Sequence, residues 1–321
     1  MGSIFTVSIL QSALELGCIY ALVALALFVS FSILNIADLS TDGCFTLGCA
    51  VCAMVTIQGH PILALAAAML AGVCSGFITA FLQTKLGIES ILAGIIVNTG
   101  LYTINIAVMG FASQVNLFNC NTIFTMAKNA IGGGWDKLIV AALIVLVIGV
   151  ILSAFLNTRL GLSIRATGDN ADMVKASSIN PSFTITVGLC VANAMTALSG
   201  GVLAQYQKSC DINLGTGMVT IALASLIIGE SIIGKGSMFR RVLGVVLGSC
   251  LYRFLVAVAL RLNVPAEALK LVSAIIVAIA IAFPFLKKKA AFVRQKSTAQ
   301  KKLKDNMRLE EANAKEMGGD R

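Results

Sequence analysis

Charged side chains set inside apolar sequence are the residues of this chain best placed to do chemistry. Glu15, Glu230 and Arg253 each stand within an apolar stretch. A charge at the centre of a bilayer costs about 2.5–3.5 kcal/mol, so such groups normally face protein or water. Each therefore reads either as a solute or gating contact or as half of an ion pair between helices. Arg253 lies near the middle of its stretch and Glu230 near the end of the preceding one, and the two are expected to pair. Asn98, Asn105 and Asn193 occupy similar apolar settings. They either line a polar pathway or hydrogen-bond neighbouring helices.

Beyond these groups the catalytic inventory is empty, and the chain reads as no enzyme. The one histidine, His60, precedes Pro61 in a short turn and reads as a solvated residue. No His-Glu-x-x-His helix, no Gly-x-Ser-x-Gly elbow and no usefully spaced pair of carboxylates occurs. Gly229-Glu-Ser-Ile-Ile-Gly234-Lys235-Gly236 approaches the phosphate-binding pattern Gly-x4-Gly-Lys-[Ser/Thr]. Gly236 replaces the hydroxyl residue that would hold magnesium, and the segment closes an apolar stretch instead of linking a strand to a helix. Cys49-x-x-Cys52 has metal-knuckle spacing without a second pair. Most of the nine cysteines lie in apolar sequence, where they serve as small packing residues. Cys120 and Cys210 fall in polar loops and could pair. No metal and no cofactor are expected on this chain.

The most distinctive polar segment runs from Thr158 to Pro181, Thr-Arg-Leu-Gly-Leu-Ser-Ile-Arg-Ala-Thr-Gly-Asp-Asn-Ala-Asp-Met-Val-Lys-Ala-Ser-Ser-Ile-Asn-Pro. Asp169 or Asn170 can cap a short helix, Asp172 suits its first turn, and Pro181 is expected to end it. A helix of two turns is too short to stand alone, so the segment from Gly168 to Ser178 needs a partner surface. Met173 and Val174 offer apolar contact, with Arg165 and Lys175 at the rim.

The elements that carry these residues are membrane spans. The chain is 58% apolar and 12% charged, with 4 Pro in 321 residues, whereas soluble domains are about 25% charged. Apolar blocks recur that could cross a hydrocarbon core of about 30 Å as helices. Nine spans are expected, near 5–33, 43–58, 62–83, 91–111, 138–157, 183–203, 216–233, 241–261 and 267–286. The fold class is all-α, a polytopic transmembrane bundle. A transmembrane domain covers 1–286 with a cytoplasmic loop at 157–182, followed by a charged tail at 287–321. The first span is too long for one straight crossing, so a tilt, a bend or a surface segment is expected. No Lys or Arg precedes Lys85, so the opening apolar run lacks the basic region of a secretory signal and should remain as a span.

Basic residues orient the spans. The tail holds 11 of the 24 Lys and Arg, and the 157–181 loop adds Arg159, Arg165 and Lys175. Placing both in the cytoplasm, with Lys85, Lys235, Arg240 and Arg241, leaves the N-terminus outside and the C-terminus inside. The tail fixes this topology and could attract anionic membrane lipid; no nucleic-acid partner is expected. An internal echo is also present: Leu39-Ser-Thr-Asp-Gly43 resembles Asn213-Leu-Gly-Thr-Gly217, and each precedes a helix of small residues. With those helices running in opposite directions, the pair reads as a trace of an inverted repeat.

On the Thr158–Pro181 segment, with Thr-Arg-x-Gly-x-x-x-Arg-Ala-x-Gly-x-Asn followed by Ile-Asn, the chain resembles permease subunits of ATP-binding-cassette importers of the branched-chain amino acid and ribose type. The likeness extends over residues 10–286. Asp38-Leu-Ser, Ile228-Gly-Glu230 and Tyr252-Arg253 resemble a subgroup often paired with lipoprotein-like binding proteins. One departure is Ser178, where the family pattern has Gly. The resemblance implies a solute pathway, a second permease copy, a cytoplasmic ATPase dimer that binds the ATP, and an extracytoplasmic substrate-binding protein. It also implies that Arg165, Gly168, Asp169, Asn170, Met173, Val174 and Lys175 form the ATPase-coupling element. An ion-coupled secondary transporter is the alternative, and a membrane-embedded enzyme is a third class.

Overall fold

In a computed structural model, residues 7–261 are described apart from 133 and 235, together with 271, 274, 275, 278, 279 and 282. Except for those last six positions, the expected ninth span at 267–286 lies outside the described residues. So do the whole tail at 287–321 and Lys235.

Helices α1 (Val7–Leu27), α2 (Thr41–Ile57), α3 (Pro61–Thr84), α4 (Ser90–Val108), α6 (Asp136–Leu156), α9 (Pro181–Gln207), α10 (Met218–Ile233) and α11 (Met238–Arg261) carry the first eight expected spans. Of these, α2 and α10 are the short ones, at 17 and 16 residues, or about 25 Å each. The other six are long and apolar enough to cross a membrane. Local chemistry sets the starts. Pro61 and Pro181 occupy first turns, where the missing N–H costs nothing. Asn180 Oδ1 caps α9 by accepting from Ser182 N at 3.0 Å. Pro181 therefore opens the helix after it and does not end the one before, which corrects its expected role.

Two helices form the centre. The apolar windows of α1 and α9 are 83% buried, against 28–39% for α3, α4, α6 and α11. The outer helices accordingly turn a broad apolar face outward, as lipid-facing helices do. Small residues allow the close approach. A Cβ at Gly48 of α2 would overlap the Ala197 carbonyl of α9, and one at Gly200 of α9 would overlap the Phe45 carbonyl of α2. Against α3, α9 is met by Gly72 and Gly76 at the backbone of Asn193 and Leu189.

The long first span bends. Beyond Leu27 it widens into a π-helical turn, Phe28–Ile33, with Leu34 N donating to Val29 O at 3.0 Å. Asn35 then adopts φ +57°, and residues 35–38 return without regular structure before α2 starts. At one end of the bundle, strands β1 (Gln114–Asn116) and β2 (Ser209–Asp211) pair antiparallel, Val115 opposite Cys210. A short amphipathic helix, α5 (Ile123–Ile131), lies beside them in sequence. Cys120 and Cys210 are free thiols. Cys210 is buried in a cluster with Cys49, Ala53 and Leu117. At the opposite end are α7 (Arg159–Asp169) and α8 (Ala171–Ala176).

Candidate functional site: a polar cleft where two short helices meet

The two echoing stretches touch. Asp42, in the first turn of α2, accepts from Gly217 N through Oδ2 and from Val219 N through Oδ1, both at 2.9 Å. Its carboxylate thus caps α10, where free N–H groups and the helix dipole favour negative charge. Gly217 takes φ +87° at this cap. Thr46 Oγ1 accepts from Gly215 N at 3.1 Å. The N-termini of two short, oppositely running helices therefore converge inside the bundle. Neither α2 nor α10 needs to cross alone, because the chain enters each from an irregular segment partly buried against its neighbours.

Beside this junction opens a cleft of about 430 Å³, lined by Asp42, Thr46, Asn98, Thr99, Tyr102, Thr103, Asn105, Asn213 and Thr216 among others. Carboxylate, amide and hydroxyl side chains line it, and among the described residues no cation does. Asn105 is 1% exposed; its Nδ2 donates to Gly43 O at 3.1 Å, while Oδ1 has no partner. A buried unpaired acceptor is costly and marks a place where a ligand or water donates. Asn98 and Asn105 are thus brought together on α4, and Asp42 and Asn213 join them from the echo. The sequence reading weighed neither Asp42 nor Asn213 as a site residue; the echo was the signal that could have found them.

The remaining expected residues lie elsewhere. Asn193, halfway along α9, donates to Asp38 Oδ2 at 2.9 Å, and Asp38 also accepts from the Ser40 hydroxyl at 2.6 Å. Asp38 is a buried carboxylate held by neutral donors. Glu15 is buried near the β-sheet end of α1 and accepts from the Tyr206 hydroxyl at 2.8 Å and from Gln11 at 2.9 Å. It braces α1 to α9.

Glu230 does not pair with Arg253. Glu230 Oε1 accepts from Arg241 Nη2 at 2.8 Å, and the Ser32 hydroxyl donates to the same oxygen at 2.6 Å. The geometry explains the correction. Glu230 lies in the last turn of α10 and Arg241 in the first turn of α11, so the connection between the helices sets the two side by side. Arg253 is twelve residues further along α11, a rise of about 18 Å. Its guanidinium lies 3.5 Å from the Tyr20 ring centroid, a cation–π contact inside the bundle.

The Thr158–Pro181 segment contains two helices, not one. Thr158 Oγ1 caps α7 by accepting from Gly161 N at 3.2 Å. The cap of α8 is Asn170, not Asp169: its Oδ1 accepts from Asp172 N at 3.0 Å and Met173 N at 3.1 Å. The two apolar residues of α8 divide. Met173 is 56% exposed and Val174 1%, so Val174 belongs to this chain's core and Met173 alone is available to a partner. Lys175 pairs with Asp172 at 3.3 Å on the open surface, a contact worth little. Arg165 is half-buried on α7, while Asp169 and Asn170 are exposed at the α7–α8 junction. Gly168 fits so closely against the Ile33 carbonyl that any side chain would clash. Ser178 sits at φ +62°, a left-handed conformation that suits glycine.

Comparison with known proteins places these features. Residues 9–282 match the family model described as branched-chain amino acid transport system / permease component. A tyrosine transport system permease protein of Clostridioides difficile is 32% identical over 83% of this chain and 88% of its own length. An uncharacterised protein of Rickettsia prowazekii is 30% identical over 85% of this chain and 97% of its own. The ribose import permease protein RbsC of Escherichia coli is 25% identical over 78% of this chain and 77% of its own. No solved structure matches.

Proposed function

Because the chain belongs to the family of branched-chain amino acid transport system permease components, we propose that the Asp42–Asn105 cleft is part of its solute pathway. The chain is a multi-pass membrane permease of the ATP-binding-cassette importer type, not an enzyme, and members of that family work with an ATPase and a binding protein. The observation that carries the pathway reading is the convergence of α2 and α10 on a cleft holding a buried, unpartnered amide oxygen. A small solute with amine or hydroxyl donors suits a lining that, among the described residues, holds a carboxylate, amides and hydroxyls and no cation. The relatives named for tyrosine and ribose support that class, and an amino acid is the first candidate.

Two copies of the permease, an ATPase dimer and one binding protein make up the proposed importer. The second copy closes the cleft, whose exposed rim at Thr99, Tyr102 and Thr103 is poorly suited to lipid. The α7–α8 end and the C-terminus face the cytoplasm, and the β-sheet end faces outward. Residues 1–286 form the permease domain, with the coupling element at 157–182. Met173, the α8 cap Asn170 and the rim residues Arg165, Asp169 and Lys175 face the ATPase, while Gly168 fixes α7 to the bundle.

Proteoliposomes containing the permease, its ATPase and its binding protein test this reading. Uptake of labelled tyrosine should require ATP and persist when ion gradients are collapsed. Uptake that follows an ion gradient without the ATPase would replace the proposal with a secondary transporter. In vesicles carrying a cysteine-free background, a cysteine at position 128 should label from the outer side and one at 165 only from the cytoplasmic side.

A further inference from the structure

The π-helical turn at the end of α1 touches two parts of the molecule that no sequence motif connects. On one side, Gly168 of α7 abuts the Ile33 carbonyl and the Leu34 Cα with no room for a side chain. A displacement of α7 therefore reaches the turn without slack, because packed interiors transmit strain. On the other side, the turn grips the α10–α11 hairpin through two residues four apart. Ser32 Oγ donates to Glu230 at 2.6 Å and accepts from Arg241 at 2.8 Å. The Arg241 guanidinium also lies 4.8 Å from the Phe28 ring centroid. Carboxylate, hydroxyl and guanidinium thus close a three-membered clasp in a partly buried setting, where charge-assisted bonds are strong.

The gripped hairpin behaves as one piece. Gly229 and Gly248 bring α10 and α11 so close that a Cβ at either would overlap the partner's backbone. The far end of α10 is the end capped by Asp42 at the cleft. A short helix is therefore held at both ends, by the clasp at one and by the cleft's carboxylate at the other. π-Helical turns mark functional places in helices, since the extra residue leaves a local weakness in the hydrogen-bond ladder.

We propose that Ser32, Glu230 and Arg241 are positioning residues for transport, relaying displacement of α7–α8 through the π-helical turn to α10 and hence to the cleft. This rests on the reading that an ATPase docks at α7–α8. The clasp bonds hold the hairpin to the turn; without them, α7 moves and the hairpin does not follow.

The test uses the full permease bound to its ATPase in nanodiscs, with spin labels at positions 102 and 216 across the cleft. The background has its native cysteines replaced. Addition of a non-hydrolysable ATP analogue should change the label separation by about 2–5 Å, the scale of helix shifts in switching proteins. Ser32→Ala should lose most of that change while copurifying with the ATPase as before, and Ser32→Thr should restore it. The Glu230→Gln/Arg241→Gln pair, which leaves no unbalanced buried charge, should behave as Ser32→Ala does. A full response in Ser32→Ala overturns the relay, and so does a wild-type complex whose labels ignore nucleotide. Loss of thermal stability and nucleotide response together, in both clasp variants, also overturns it in favour of a structural brace. Failure of the wild-type permease to copurify with any ATPase is a different result and removes the docking reading itself.

Discussion

Replacing Met173 with Asp tests the docking surface without touching the fold. Met173 is 56% exposed, so the isolated permease loses little packing when it changes. Full burial of a methionine side chain contributes about 1.5–3 kcal/mol, of which roughly half remains to be gained when an ATPase groove covers this one. A carboxylate at that contact adds a desolvation cost of at least about 1–3 kcal/mol, the cost of a buried neutral polar group. The combined loss is at least about 3 kcal/mol per site, a hundredfold or more in affinity. Val174→Asp is the instructive contrast. Val174 is 1% exposed inside this chain, so a carboxylate there should cost the fold several kcal/mol and lower the yield of inserted protein. Affinity for the ATPase, measured by titration in detergent, should fall for Met173→Asp with unchanged thermal stability. Unaltered affinity, with normal ATP-driven uptake, would show that α8 is a connector and not a docking element.

Two further substitutions probe the frame that positions the cleft. Gly48→Ala should push α2 about 1 Å from α9 and cost about 1–3 kcal/mol, as overpacking does. Thermal stability in detergent should drop, whereas Gly100→Ala on α4, which meets nothing within 4 Å, should leave it unchanged. Equal effects would show that the α2–α9 contact is loose. At Ser178, φ +62° costs an L-residue about 1–2 kcal/mol. Ser178→Val should therefore destabilise the α8–α9 junction while Ser178→Gly does not, and the same thermal measurement decides; a valine variant as stable as wild type refutes the strain.

What could be read in advance follows from how local each cause is. Apolar blocks announce helices because the bilayer demands internally satisfied backbones, and eight expected spans fall on described helices with ends within about four residues, the usual boundary error. The caps at Asn170 and Thr158 are equally local, yet α7 was missed, since its polar sequence carried no span signal and its burial depends on Ile33 and Leu34. Partner choice is not local. Arg253 was the conspicuous charge for Glu230, but a short turn delivers Arg241 instead. Asp42 was legible only as part of an echo; that its carboxylate caps a helix some 175 residues away is a tertiary fact. Asp38 appeared in a family-like motif without any chemical role assigned, and its link to Asn193 depends on α9 threading the centre.

The central place of α9 constrains how the protein is made. Helices leave the ribosome in chain order, and α9 emerges after α1, α2, α3, α4 and α6. Until it arrives, Asp38 lacks Asn193, and the glycines at 48, 72 and 76 face an unfilled gap. The central position is therefore filled late, by a helix that joins others already synthesised. Chains stopped before residue 181 would expose a buried carboxylate and the bare backbone of two helices to the bilayer. Completion of α9 covers those surfaces, while Asp42 still waits for the backbone of α10.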